Sequence, residues 1–247
     1  MGPLTVPIIL LGQSAYNNYD VLGAMREREN LYLEIRNFTS PDILEYLTAH
    51  TGSGCLLFGS RSPMDYLLPT RNIVEYSCLP TESKDRILDK NARQIFLPQK
   101  EAAPMPLIDI HAHWGEWPFG CKPQTVEDLC AMLDRYDISA MLFSSSKAIQ
   151  YDMEEGNRKL FAFLEADPRL YGYVTVNPNI LEQSLEEIRR YSCHPRFKGI
   201  KYHPYYTDLT IDSPEMDPIY AFAQEMQFPV LVHAMGNTTC PPSGWSR

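Results

Sequence analysis

The chain has 247 residues, of which 44% are hydrophobic and 21% charged, and a formal net charge of -9 at pH 7. This length allows one α/β barrel of ordinary size or two smaller domains. The acidic balance and the lack of a Lys/Arg cluster argue against a nucleic-acid partner, so we expect a small-molecule partner. The first apolar run is too short for a membrane span and has no basic region before it, which predicts a core strand and no membrane partner.

The six cysteines lie far apart and form no C-x-x-C pair. Most of them fall inside apolar runs, which favours reduced, packed thiols over a disulfide framework or a thiolate metal site. We therefore expect a cytoplasmic protein, and the sequence leaves a homo-oligomer open. The cysteines are Cys55, Cys78, Cys121, Cys130, Cys193 and Cys240.

Strand and helix patterns alternate along the whole chain. Apolar runs predict eight strands, at 6–11, 31–35, 55–58, 107–110, 138–143, 170–176, 197–203 and 228–233. Helical patterns lie between them, at 20–29, 41–51, 82–96, 126–136, 154–165, 181–191 and 214–226. The order predicts a parallel sheet, and eight strands close a (β/α)₈ TIM-like barrel with its active site at the carboxyl ends of the strands.

A linker divides the predicted elements into two groups. Residues 98–106, PQKEAAPMP, are short and rich in Pro and Ala. Three strands fall in segment 1–97 and five in segment 107–247, and no helical pattern follows the last strand. We expect the two segments to form one barrel domain together.

The stretch LIDIHAHWGEWPFG, residues 107–120, predicts a metal site. His111 and His113 are two apart on a strand and therefore project to the same side, while Ala112 faces the other. Two neutral imidazoles at a strand end are suitable ligands for Zn²⁺ or a similar divalent ion. The alternative is that they only bond to backbone at the strand terminus.

Further polar residues fall at predicted carboxyl ends of strands. Lys201 and His203 end the seventh predicted strand and His233 ends the eighth, so all three are expected near the His111–His113 pair. His203 also fits a structural histidine at the barrel rim. His50 and His194 fall at a helix end and in a loop, where solvated or capping roles suffice.

Three motifs resemble those of a known family. DIHAHWG, FKGIKYHP and FPVLVHAMG look like the first, fourth and fifth strands of the amidohydrolase-related branch of the amidohydrolase superfamily. The resemblance implies a metal-dependent (β/α)₈ enzyme, in most members a hydrolase and in some a non-oxidative decarboxylase. It covers residues 105–236 in the family's normal order.

Residues 4–97 resemble the same family's C-terminal part. VPIILLGQS, NLYLEIRNFTSPDILEYL and LLFGSRSPM are similar to its sixth, seventh and eighth strands. The order is therefore inverted, as in a permuted barrel (strands 6–8, then 1–5, without the fifth helix) or in a splice across tandem copies. We favour the barrel that closes within one chain, because two open halves would expose long apolar edges.

The chain departs from the family at two positions. Gln13 stands where the family usually has a sixth-strand His, and Arg61 where it has an eighth-strand Asp that commonly binds the metal and takes a proton from its water. Arg61 is a permanent cation and can do neither. Asp65 is the nearest carboxylate in the sequence.

The resemblance implies His111, His113 and His233 as metal ligands, with a metal-bound water that attacks a small carbonyl, lactone or amide substrate. Lys201 and His203 are the catalytic candidates and are suited to hold a substrate carboxylate. The substrate-binding candidates are Trp114, Trp117, Phe119, Arg61 and Gln13. Two alternatives stay open: decarboxylation of a small aromatic acid, and a catalytically impaired remnant or binding protein.

Overall fold

The computed structural model describes residues 4–13, 18–98, 107–117 and 124–234, with the backbone alone described for 18–20. All eight predicted strands are present within these ranges. They are β1 Ile8–Leu11, β2 Leu31–Glu34, β3 Leu56–Leu57, β4 Leu107–Trp114, β5 Ile138–Ser145, β6 Leu170–Thr175, β7 Phe197–Tyr202 and β8 Val230–His233.

Helices follow the strands as the alternation predicted. They are α1 Asn18–Glu27, α2 Ile43–Thr51, α3 Leu67–Glu75, α4 Thr81–Asp85, α5 Asn91–Phe96, α6 Val126–Arg135, α7 Ser146–Gln150, α8 Met153–Leu164, α9 Leu181–Ser192, α10 Pro204–Thr207 and α11 Asp217–Met226. A π-helical turn, Arg86–Lys90, joins α4 to α5. The sequence did not predict α3, α7 or α10, of which α7 and α10 are too short for a periodic pattern.

The strands form one parallel sheet in the order β3-β2-β1-β8-β7-β6-β5-β4. β1 pairs with β8, with Leu11 opposite His233. The three strands from the first segment therefore continue the sheet beyond the last strand of the second. The predicted (β/α)₈ TIM-like barrel is confirmed.

The sheet closes where the chain after β3 meets β4. Ser62 forms a parallel bridge with Ala112, and the N–H of His113 donates to the Ser62 carbonyl at 2.7 Å. The buried Asp109 carboxylate adds to this seam, because it accepts from the Ser60 hydroxyl and backbone N–H and from the His111 N–H. These bonds connect the two segments at the second of their junctions.

Apolar side chains pack on both faces of the barrel wall. The interior cluster includes Ile9, Leu57, Ile108, Leu142 and Leu231, with Phe96 of α5 against it. A larger cluster lies between the strands and the surrounding helices. Strands covered on both faces explain why the sequence shows continuous apolar runs with little alternation.

Two of the predicted helix starts have different caps. The Thr125 hydroxyl accepts from the Asp128 N–H at 3.1 Å, which confirms the predicted cap of α6. The predicted start of α2 at Ser40 and Pro41 is wrong, since the N-cap is Asp42, at φ 57, with no side-chain hydrogen bond. Ser40 instead accepts from the Ile43 N–H through its carbonyl, which makes a turn before the helix.

Some sequence predictions fall outside the described residues. These include most of the linker, at 99–106, and the segment 235–247, where no helix was predicted. Cys55, Cys78, Cys130 and Cys193 are free thiols, and Cys78 and Cys193 are exposed instead of packed. Within the described ranges no helix combines the length and apolar character needed to cross a membrane.

Candidate functional site

A cluster of buried polar side chains lies at the carboxyl ends of five strands, inside an otherwise apolar barrel. β4 provides His111 and His113, and the other four residues come from or directly follow β2, β7, β8 and β1. In that order they are Glu34, Lys201, His233 and Gln13, and each is at most 6% exposed. The barrel therefore brings residues more than 200 positions apart into one site.

A bulge in β4 aims the histidine pair into the barrel. Asp109 and Ala112 lie opposite Met141 and Phe143 of β5, so β4 contains one residue more than its partner over this interval. Ile110 before the bulge belongs to the interior cluster, yet the histidine immediately after it also faces the site. Strict alternation would have placed neighbouring residues on opposite faces.

The two imidazoles lie close enough to share a ligand. His111 Nε2 and His113 Nε2 are 3.2 Å apart, and the side chains are 0% and 3% exposed. Two nitrogen ligands at about 2.0–2.1 Å from a tetrahedral Zn²⁺ are separated by roughly 3.3 Å. The spacing of the pair matches that geometry.

The other two site histidines form a second pair. His203 and His233 stack at 4.3 Å between ring centroids, with an interplanar angle of 11°. The His233 ring is 6.1 Å from the His111 ring. In the described part of the chain, no three His, Cys, Asp or Glu side chains gather around one point in a way that could hold a metal ion.

Burial keeps all four histidines neutral. It lowers the pKa of His203 to about 3, and it lowers the pKa values of His111, His113 and His233 well below 6.5. The positive charge of Lys201 adds to the effect at each ring. Neutral imidazoles retain the lone pair that a metal ligand needs.

Lys201 and Glu34 are the oppositely charged groups of the site, and both are fully buried. Burial lowers the pKa of Lys201 to about 7, while the charge of Glu34 acts in the other direction. Burial raises the pKa of Glu34 to about 7 against the influence of Arg36. Glu34 was missed in the sequence, although a carboxylate at the end of the apolar strand LYLE was the available signal.

Arg61 lies directly after the Ser60 seam residue with its guanidinium turned toward Asp65. Nε and Nη2 of Arg61 donate to the two carboxylate oxygens of Asp65, each at 2.9 Å. Arg36 Nη1 donates to the same carboxylate at 2.7 Å. Asp65 is thus an ion-pair partner of two arginines, and the Arg61 charge still lowers the pKa of His113.

The remaining substrate-binding candidates have different surroundings. Gln13 Nε2 donates to the Ala234 carbonyl at 2.7 Å. Trp117 packs edge-on against His113 at 5.0 Å, so it lies at the site. Trp114 stacks on Phe163 of α8 at 4.9 Å, between the barrel and its helices, and Phe119 is outside the described residues.

Several buried polar atoms of this cluster have no hydrogen-bond partner. Within the described ranges they include Nζ of Lys201, Oε2 of Glu34 and Nδ1 of each of the four histidines. Such atoms are rare in folded proteins and usually indicate a bound water, ion or ligand. The donor set, with neutral nitrogens and one carboxylate, fits a divalent metal together with a polar substrate.

The sequence matches one family model. Residues 108–243 match the family described as Amidohydrolase. This range is more than half of the chain and runs from β4 through β8. No curated protein matches the chain.

Proposed function

Because the chain belongs to the amidohydrolase family, we propose that it is a metal-dependent hydrolase of the amidohydrolase-related branch, acting on a small carbonyl, lactone or amide substrate. The observation that carries the proposal is the 3.2 Å separation of His111 Nε2 and His113 Nε2, buried at the carboxyl end of a closed barrel. Active sites of (β/α)₈ enzymes lie at this end.

His111, His113 and His233 would hold the metal, which is Zn²⁺ in this proposal. A bound divalent ion would polarise a carbonyl and lower the pKa of a water molecule toward roughly 7. The neutral state of the three imidazoles supports the ligand role, since each has a pKa lowered by burial.

The other site residues would bind and orient the substrate. Lys201 is fully buried and its Nζ has no hydrogen-bond partner among the described residues, so its ammonium is available to a substrate carboxylate. His203 is neutral at pH 7 and would donate or accept a hydrogen bond. Trp117, packed on His113 and 8% exposed, would exclude water from this side of the site.

We also propose that the chain is a permuted form of the family barrel. β4 to β8 would be the family's first five strands and β1 to β3 its sixth to eighth. The pairing of β1 with β8 supports this assignment, as does the start of the family match at residue 108.

The first test is the zinc content of wild-type protein and of His111→Ala, measured by mass spectrometry of the metal. We expect about one Zn²⁺ per wild-type chain and little in the variant, because two nitrogen ligands become one. His50→Ala, at an exposed histidine of α2, is the control and should retain its zinc. Full metal content in His111→Ala, or none in the wild type, would contradict the proposal and favour the inactive remnant.

A second candidate function is non-oxidative decarboxylation of a small aromatic acid. The observation that favours it is the positive charge around the histidines, from Lys201, Arg36 and Arg61, which suits an anionic substrate. A panel of lactones, amides and aromatic acids separates the two functions. Release of CO₂ from an acid, without hydrolysis of the other substrates, would select decarboxylation.

A further inference from the structure

Glu34 is the carboxylate that lies next to the histidine pair. It ends β2 and is fully buried, and its Oε1 accepts from the Arg36 N–H at 2.9 Å. Its Oε2 lies 3.6 Å from Nδ1 of His111. Neither of these two atoms has a hydrogen-bond partner among the described residues, so each is the available partner for the other.

Gly59 makes this approach sterically feasible. A Cβ atom at position 59 would lie 2.7 Å from Cγ of Glu34 and 2.8 Å from Cβ of His111. Real Cβ atoms do not approach other heavy atoms so closely, so any side chain here would push the two residues apart. The chain after β3 therefore leaves room for the carboxylate beside the imidazole.

The two nitrogens of His111 face different groups. Nε2 points to His113 Nε2, at 3.2 Å, and Nδ1 points to Glu34. A carboxylate that accepts from Nδ1–H keeps the proton on that nitrogen and leaves the Nε2 lone pair free. Histidines that bind metals commonly have such a carboxylate or carbonyl on their second nitrogen.

We propose that Glu34 is a positioning residue that holds His111 in the Nδ1–H tautomer, with Nε2 directed into the site. This role rests on the proposed function only in its consequence for metal binding; the tautomer itself is a property of the protein without metal. Glu34 also supplies negative charge close to a site where position 61 carries an arginine. Its negative charge partly offsets those of Lys201 and Arg36.

The direct test is the tautomer of His111, read from long-range ¹H–¹⁵N NMR spectra of histidine-labelled protein without metal. We expect the Nδ1–H form in the wild type and a shift toward Nε2–H in Glu34→Leu, because leucine removes the acceptor at similar size. Glu34→Gln should retain the wild-type tautomer, since its amide oxygen still accepts. Asp89→Asn is the control, as it alters a carboxylate of similar burial that pairs with Arg93.

A second measurement is Co²⁺ affinity and the absorption spectrum of the Co²⁺ complex. Glu34→Leu should lower the affinity by about 10–100-fold, with partial rescue in Glu34→Gln. An Nε2–H form of His111 in the wild type, or a tautomer that does not respond to Glu34→Leu, would overturn the proposal. If Glu34→Leu does not fold, an altered tautomer in Glu34→Gln would overturn it as well.

The two proposals fail separately. Wild-type protein that binds no Co²⁺ and no Zn²⁺ contradicts the proposed function, while the Nδ1–H tautomer and its response to Glu34→Leu would still support the role of Glu34.

Discussion

Arg61 carries a permanent positive charge near the buried histidines, and its environment limits the effect of that charge. The residue is at φ 60, a left-handed conformation that is uncommon for a long side chain. Its guanidinium is 26% exposed and pairs with Asp65, which also pairs with Arg36. One carboxylate thus balances two cations, so an excess of positive charge remains near His113.

Removal of the Arg61 charge should strengthen metal binding. We expect Arg61→Ala to raise the Zn²⁺ affinity by about three- to tenfold, because a cation near a divalent ion disfavours binding. Isothermal titration calorimetry at low ionic strength measures the change. Arg86→Ala, at an exposed arginine that pairs with Glu82, is the control. An affinity that is unchanged or weaker in Arg61→Ala would contradict this account.

Among the helices, α7 and α8 show how closely packing determines a residue type. α7 follows the three serines after β5, and the Ser145 hydroxyl caps it by accepting from the Ala148 N–H at 3.2 Å. α8 then crosses it at Gly156, where a Cβ atom would lie 2.2 Å from the Ala148 backbone nitrogen. Only glycine permits this contact, since the opposing atoms are backbone.

Alanine substitution at two helical glycines should therefore have opposite effects. Gly156→Ala should lower the free energy of unfolding by about 1–3 kcal/mol or more, because the helices must separate. Gly23→Ala is the matched control in α1, where a Cβ atom has nothing within 4 Å, and should raise stability by about 0.4–1 kcal/mol. Urea denaturation at pH 7 measures both. Equal effects of the two substitutions would show that helix propensity, and not packing, decides.

At the scale of the whole molecule, the polar barrel interior makes stability depend on pH. Burial lowers the pKa values of four histidines and raises those of two carboxyl groups, Glu34 to about 7 and Asp109 to about 6. The histidines are His111, His113, His203 and His233. As the pH falls below about 6.5, the unfolded chain binds protons at these histidines and the folded chain does not, which favours unfolding.

The carboxyl groups act in the opposite direction, since the folded chain binds their protons at higher pH than the unfolded chain. Between pH 6.5 and 5.5, four histidines oppose two acids, and we expect the metal-free protein to lose about 2 kcal/mol of stability. Urea denaturation in EDTA at the two pH values measures this loss. His203→Gln should reduce it by about 1 kcal/mol. Equal stability of the wild type at both pH values would contradict the neutral histidines.

The sequence by itself determined the eight strands, their alternation with the major helices and the shared direction of His111 and His113. These features follow from local apolar runs, caps and the two-residue period of a strand, which depend on neighbours along the chain. The short helices α7 and α10 lack such a pattern, and Ser40 resembled a cap without forming one.

Only the tertiary structure decided which residues meet at the site. The β4 bulge depends on the register with β5, and it turns His111 toward the same interior as Ile110. The Glu34 carboxylate reaches His111 because the chain after β3 closes the barrel with a glycine between them. Such contacts join positions far apart in the chain, and local pattern contains no information on the packing and barrel closure that bring them together.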